Sequence, residues 1–470
     1  MAMRRVIVMI ALLALMLPLV GCVKRAGNFP PINTSVELDS TNLPIVWIEV
    51  GGDSIMRDKR INAHMKIINN GAGRLNYADT VAHPGQHIDY NGYIAIRHRG
   101  NSTYNDSRKK PYSIRTLSEP MWRDVATKRK VKLLGMGRDD NWALLAPYAD
   151  KSMMRDLLAF EISRQWMEFV PQGRYCEVYL DGIYYGVYIL SEVVSKGGHR
   201  LDLQSPGESG DALTGSYMME VDCDDDVTYT SKRHPVAPDG TPYTDRLIRF
   251  QYKSPDHAEL SDVQLNYINN SIDRMERALA AGQYDKVIDV MSFIDYQLAM
   301  ELSHNVDGYR LSGKFYKRRD SEDPRFKMTV WDFNIAFGNC RYREGWRTDT
   351  WVYESNPVLY SDGDEYLIPF WWHQLNNDPR YTAQLRERWA QYRKTNVNEQ
   401  RLMATIDSLA LVLTSHGAEH RNSMAWPRWG VQVWPNYYIA TDFADELAHM
   451  KQWIRERIAW MDAQLGCEEQ

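Results

Sequence analysis

The sequence predicts an α+β protein, with strands concentrated in the first part and helices in the last. Three observations carry this reading. Short β-branched and aromatic runs, separated by Gly-Gly, Asn-Gly and Asp-Gly turns, occupy much of the chain up to about residue 190. From Ser261 onward the apolar spacing is mainly helical, and no internal repeat or low-complexity tract interrupts the order. The composition, 44% hydrophobic and 25% charged over 470 residues, is that of a globular protein with ample core. Lys plus Arg number 56 against 61 Asp plus Glu, for a net charge of −5. No segment gathers basic residues as a nucleic-acid arm does, which makes a nucleic-acid binder the least favoured class.

Residues 1–21 read as an address. Arg4 and Arg5 precede an apolar run from Val6 to Val20, and Gly21 and Cys22 follow. A basic start, a short apolar stretch and a small-residue exit make a secretory signal peptide. The run is broken by Pro18 and is short for a membrane span. Leu19-Val20-Gly21-Cys22 resembles the bacterial lipobox, which implies cleavage before Cys22, lipidation of its thiol and anchorage of an exported protein in the cell envelope. An ordinary signal peptide with a chance cysteine is the plainer alternative.

A polar, Pro/Asn-rich tether then runs over residues 22–43. A small N-terminal β region is expected over 44–90, with strands at Ile45–Val50 and near Met65–Ile68, and the main domain over 91–465, beginning with Tyr93–Ile96. Asp150 is positioned to cap a helix reaching about Met167. Tyr175–Leu180, the Asp181-Gly182 turn and Ile183–Leu190 form the clearest hairpin. Residues 195–260 read as loop-rich with one strand at Ser216–Val221. A second hairpin, at about Gly313–Trp331, interrupts the helices. The last helix is capped by Thr441, lined by Phe443, Leu447, Met450, Ile454, Met461 and Leu465, and stopped by Gly466.

Four cysteines remain beyond Cys22: Cys176, Cys223, Cys340 and Cys467. An oxidising compartment permits three full pairings, while the absence of a C-x-x-C pair disfavours zinc. Cys176, inside a strand pattern, reads as a buried small hydrophobe.

The second hairpin carries the chemistry. Asp307 precedes its first strand and Asp332 ends its second, so an antiparallel fold brings the two to neighbouring loops. One carboxylate then accepts a proton from an attacking hydroxyl while the other holds Mg²⁺; Asp as a simple turn or capping residue is the competing explanation. Gly100-Asn101-Ser102-Thr103 lies between Arg97–Arg99 and Arg108–Lys110, a loop able to offer backbone amides and cations to phosphate, or else a solvated basic turn. Glu161 falls between Leu157 and Leu158 on a helical wheel, so a buried position with a cationic partner is expected, catalytic or purely structural. Asp222 with Asp224–Asp226 is either a Ca²⁺-binding cluster or a solvated loop. Trp426, Trp429 and Trp434 are either a glycan platform or core.

Arg99–Thr103, Lys109–Tyr112, Trp142–Ala146 with Tyr148–Lys151, Glu177–Tyr188, Glu192, Gly215–Glu220, Asn305–Arg310 and Trp331–Asn339 resemble, in that order, the CotH kinase family, over about residues 90 to 465. The resemblance implies a distant, atypical protein-kinase-like fold. It also implies ATP- and Mg²⁺-dependent phosphorylation of Ser or Thr on a protein acceptor. It gives Asp307 the role of catalytic base and Asp332 that of metal ligand. Lys110 is the first choice for the phosphate-binding lysine, with Lys109 and Arg115 as competitors and Glu161 as its partner. Ser312 stands five residues after Asp307, where a protein-kinase catalytic loop has Asn. The rival function is a catalytically inactive kinase-like envelope protein with a binding or structural role.

Overall fold

The computed structural model describes residues 31–120, 127–223 and 227–467. The expected signal peptide and Cys22 lie outside them, as do Asp224–Asp226. In chain order the first part comprises β1 (Ser40–Thr41), β2 (Ile45–Glu49), β3 (Ile61–Ile68), β4 (Asn76–Tyr77), β5 (Ile88–His98), α1 (Ser102–Asn105), β6 (Tyr112–Thr116), β7 (Asn141–Leu145), α2 (Arg155–Ser163), β8 (Gly173–Leu180) and β9 (Ile183–Glu192). Seven of these strands close a barrel in the order β2-β3-β5-β6-β7-β9-β8. All pairs are antiparallel except the closing one, where β2 runs parallel to β8 with Ile45 opposite Glu177.

Alternation along these strands fills the barrel with Val46, Ile48, Met65, Ile67, Ile94, Ile96, Ile114, Trp142 and Leu144, among others. The β8–β9 hairpin forms where Asp181-Gly182 predicted it, with φ of +46° and +78° at the two turn residues, as a two-residue loop requires. The expected boundary at residue 90 runs through β5, and β2 and β3 are rungs of the same barrel as β6–β9.

The second part adds α3 (Gly210–Leu213), β10 (Tyr217–Val221), β11 (Thr228–Thr230), β12 (Arg249–Ser254), α4 (Asp262–Ala280), α5 (Val290–Ser303), β13 (Gly313–Lys317) and β14 (Lys327–Thr329). The strands form a five-stranded sheet, β11-β12-β10-β13-β14. The stretch expected to hold one strand thus holds three, because Arg249–Ser254 pairs with β10 and Thr228–Thr230 pairs in turn with Arg249–Ser254. Helices α6 (Asn356–Ser361), α7 (Phe370–Asn376), α8 (Pro379–Arg393), α9 (Glu399–Thr414), α10 (Ala418–Ala425) and α11 (Phe443–Leu465) follow. Asp442, not Thr441, caps α11 through the Asp445 amide, and Gly466 ends it at φ +70°. Among the described residues, no helix is long and apolar enough to cross a membrane. Among the described residues no disulfide joins the four cysteines, and burial pushes Cys176 up to about 12.

Helix α2 is shorter than expected and is buried on nearly every side. Asp150 does not begin it but holds it. Its carboxylate accepts the Arg155 amide at 2.9 Å and the Arg155 guanidinium at 2.6 Å. Arg155, fully buried, also pairs with Glu446 of α11 and donates to the Ala336 carbonyl at 3.0 Å. This network fixes α2, α11 and the chain after Asp332 against one another.

Candidate active site

Asp307 lies in the turn that follows α5. His304 leaves the helix in the left-handed region at φ +47°, and Asn305 to Leu311 then fold back through bonds from Gly308 to Asn305 and from Leu311 to Asp307. Gly308 lets the turn pack closely on α5: a Cβ there would meet the Met300 sulfur at 2.1 Å and force that side chain to shift. The Asp307 carboxylate accepts Arg310 Nη2 at 2.7 Å and the Tyr342 hydroxyl at 2.6 Å. Arg310 in turn reaches Asp364 at 2.8 Å, so the turn is clamped from behind.

Asp332 follows the hairpin β13–β14, whose register sets Lys314 opposite Thr329. Its backbone is left-handed at φ +63°, an uncommon conformation that Asp tolerates better than most residues. The flanking chain is pinned: Asp156 accepts the Phe333 amide at 2.7 Å, and Phe337 donates to Ser303 at 2.7 Å. Asn305 joins the two loops. Its Nδ2 donates to the Asp332 carbonyl at 2.8 Å, and its Oδ1 accepts the Asp307 amide at 3.4 Å.

A narrow cleft of about 50 Å³ opens at Asp332, lined also by Arg99, Gly100, Thr103, Pro111, Asp156, Trp331 and Asn334. The Asp332 side chain is open to this cleft, and among the described residues no hydrogen bond reaches its carboxylate. Desolvation by the surrounding walls raises its pKa. Arg99 opposes that rise, while Asp307 and Glu220 add to it. Asp156, buried beside it, is pushed up to about 8 by desolvation and by the Asp332 charge. The guanidinium of Arg99 lies 4.9 Å over the Trp331 ring and makes no ion pair among the described residues. Asp332 and Asp156 favour its charge against the cost of burial.

The cations expected from the sequence lie elsewhere. Lys110 donates to the Tyr104 carbonyl and, with Arg108, lines a separate, open groove of about 570 Å³ that contains none of Asp156, Asp307 or Asp332. Lys109 is buried against Val187 O, Asn422 and the Tyr188 ring, and desolvation holds its pKa well below the usual lysine range. Arg115 pairs with Asp140 at 2.8 Å. The Glu161–Lys110 pair does not form. Glu161 is 58% exposed and faces Arg164 at 3.5 Å. The physical reason is that α2 is buried on almost all sides, Arg155, Asp156 and Ser163 included, so the wheel could not tell its narrow open strip, Glu161 beside the half-buried Leu157, from its buried face.

A buried Lys–Glu pair does exist, on neighbouring strands of the sheet. Lys314 of β13 stands opposite Glu220 of β10 and pairs with it, and Lys253 of β12 reaches the same carboxylate at 3.0 Å. Both Lys314 and Glu220 act electrostatically on Asp332. Asp222, next along the chain, is pushed up to about 8 by desolvation and by Glu220. Asp156, Glu220 and Lys314 were missed by sequence reading. Only the polar residue in an otherwise apolar strand, Tyr217–Val221, offered a signal for Glu220.

The loop residues divide. Gly100, at φ +80° with its Cβ position blocked by Thr103, lines the cleft. Ser102 lines an adjoining cavity with Asp150, Asn334 and Trp434. Asn101 is exposed and bonds to Asn105. Ser312 sits at the start of β13 with its hydroxyl donating to Leu311 O at 2.5 Å. Among the described residues, no three His, Cys, Asp or Glu side chains converge to hold a metal ion.

The model of the family described as CotH kinase protein matches residues 96–461, so the chain belongs to the CotH kinase family. Membership carries a kinase-like function and, in general, the use of ATP and a divalent metal. No curated protein matches the chain. The donor set fits such a metal. Mg²⁺ is commonly held by one or two carboxylates and completed by phosphate oxygens and water, and Asp332 presents an open carboxylate beside Asp156.

Proposed function

We propose that the protein is an envelope-anchored protein Ser/Thr kinase with an atypical kinase-like fold. Asp307 is its base, Asp332 its Mg²⁺ ligand and Arg99, in place of Lys110, the cation facing phosphate. The observation that carries this reading is the Asn305 bridge, which ties the Asp307 turn to an open, charge-strained Asp332 in a cleft also walled by the Gly100 loop. Bound ATP would supply the phosphoryl group, and Mg²⁺ would neutralise charge on its phosphate oxygens.

The chain's own residues orient and neutralise. Arg310 and Tyr342 fix the Asp307 carboxylate, which would take the proton of the acceptor hydroxyl as the hydroxyl oxygen bonds to the γ-phosphorus and the bond from that phosphorus to the leaving ADP oxygen breaks. Arg99, backed by Trp331 and desolvated, sets a positive charge against the transferring group. Nucleotide sites span several hundred Å³, so binding at this cleft of about 50 Å³ requires it to widen. Anchorage through Cys22 belongs to the same proposal and rests on the lipobox resemblance alone.

The test is a thermal shift of purified residues 23–470 with ATP and Mg²⁺, together with transfer of labelled phosphate to protein acceptors. No shift and no transfer would leave the non-catalytic binding reading in its place.

A further inference from the structure

Aromatic side chains normally pack inward, so several exposed together call for an explanation. Beside Asp307 there is such a group. Trp346 is 38% exposed, Trp434 36% and Tyr437 45%, with Ile439 also exposed next to them. They belong to two segments held together by main-chain bonds from Tyr437 to Asn339 O at 2.8 Å and from Arg341 to Pro435 O at 2.9 Å. The buried Asn436 side chain adds a bond to Asn339 at 2.7 Å. Trp346 and Tyr437 stack with ring centroids 4.7 Å apart and planes at 8°, and Tyr342 and Trp434 stack at 5.7 Å and 4°. The shelf is therefore rigid before anything binds.

It is also continuous with the site. Tyr342 donates its hydroxyl to Asp307 while its ring supports Trp434. Trp434 and Pro435 line the cavity shared with Asn334, two residues beyond Asp332. Next to Tyr342, Arg341 is exposed, and among the described residues its guanidinium has no hydrogen-bond or ion-pair partner.

We propose that this shelf docks the acceptor polypeptide, with an apolar side chain of the acceptor resting on Trp346, Trp434 and Tyr437 and an acidic one facing Arg341, while the acceptor hydroxyl reaches Asp307. The inference rests on the kinase reading above. A polypeptide fits better than a glycan because the apolar shelf is flanked by the exposed Arg341 guanidinium, which an acidic side chain pairs with and a neutral sugar does not. Rigid aromatic side chains and an arginine are also the residues that dominate protein-binding energy.

The experiment uses residues 23–470, ATP with Mg²⁺ and a positional library of Ser- and Thr-centred peptides, with fluorescein-labelled peptides read by anisotropy in parallel. The expected result is selection for an apolar residue and an acidic residue at fixed positions from the acceptor. Tyr437→Ala and Trp346→Ala should raise the peptide KM about tenfold with kcat and the KM for ATP unchanged. Arg341→Glu should exchange the acidic preference for a basic one without moving the melting temperature. Loss of the ATP–Mg²⁺ thermal shift in the unmodified protein overturns the kinase reading itself. An intact nucleotide shift with no positional selection, no labelled-peptide binding, or unchanged KM in all three variants overturns the shelf. So does displacement of bound peptide by soluble oligosaccharide alone.

Discussion

The side-chain amide of Asn305 donates to the main-chain carbonyl of Asp332 at 2.8 Å, and through that bond two loops separated by a whole hairpin move as one. Asn305 is fully buried. Asn305→Ala removes the donor and leaves a buried carbonyl unpaired, at a cost of about 1–3 kcal/mol. Denaturant unfolding should show that loss, and phosphate transfer should fall more than nucleotide affinity, because the spacing of Asp307 and Asp332 is what the bond maintains. A variant as stable and as active as the parent would remove the bridge from the site.

The Asp156 carboxyl gives a pH test. Its folded pKa is raised to about 8 from the ordinary 3.8. The folded protein therefore keeps a proton that the unfolded chain releases above about pH 4. The associated stability is complete below that pH and is lost as pH rises toward 8. Asp156→Asn keeps an oxygen for the Phe333 amide and abolishes the titration. Its melting temperature should exceed the parent's increasingly from pH 5 to pH 8, by the equivalent of at least ~1 kcal/mol at the upper end. Parallel pH profiles for the two proteins would rule Asp156 out as the titrating group.

Asp307 and Asp332 should fail in different ways. Asp332→Asn is expected to abolish the Mg²⁺-dependent part of the ATP thermal shift and to leave the fold intact, since its carboxylate accepts no hydrogen bond among the described residues. Asp307→Asn is expected to retain that shift and lower kcat by roughly 10²–10⁴-fold, the usual contribution of a general base. Identical phenotypes would mean that the two roles are not divided as proposed.

Two glutamates test the placement of the buried cation pair. Glu161→Gln, on an exposed strip of α2, should change stability by no more than about 0.5 kcal/mol. Glu220→Gln strands Lys314 and Lys253 beside each other and should cost about 3 kcal/mol in denaturant unfolding. The reverse order would restore the helix position as the buried one.

Much of this was legible in the sequence because it is local. Asp181-Gly182 and the flanking alternation define the first hairpin, and Asp307 and Asp332 at the two ends of the second hairpin lead to the same neighbourhood. What was hidden depends on contacts between distant segments. Nothing in Ile45–Glu49 announces a parallel partner in β8, and nothing in Arg155 announces Asp150, Glu446 and Ala336 around one guanidinium. The kinase analogy and a basic loop point to Lys110, but adjacent loop residues can face opposite ways. Thr103 and Pro111 line the Asp332 cleft, whereas Lys110 turns to Tyr104 and the other groove.

The closing pair of the barrel has a practical consequence. Strand β2 finds its partner β8 about 130 residues later in the chain, and the stretch matched by the family begins only at residue 96, inside β5. A fragment trimmed to that stretch lacks β2, β3 and most of β5 and leaves β6 and β8 as bare edges, templates for aggregation. During synthesis the same geometry keeps β2 waiting until β8 has emerged, and such non-local closure is slow. The N-terminal strands that the family match omits therefore decide when the barrel can seal.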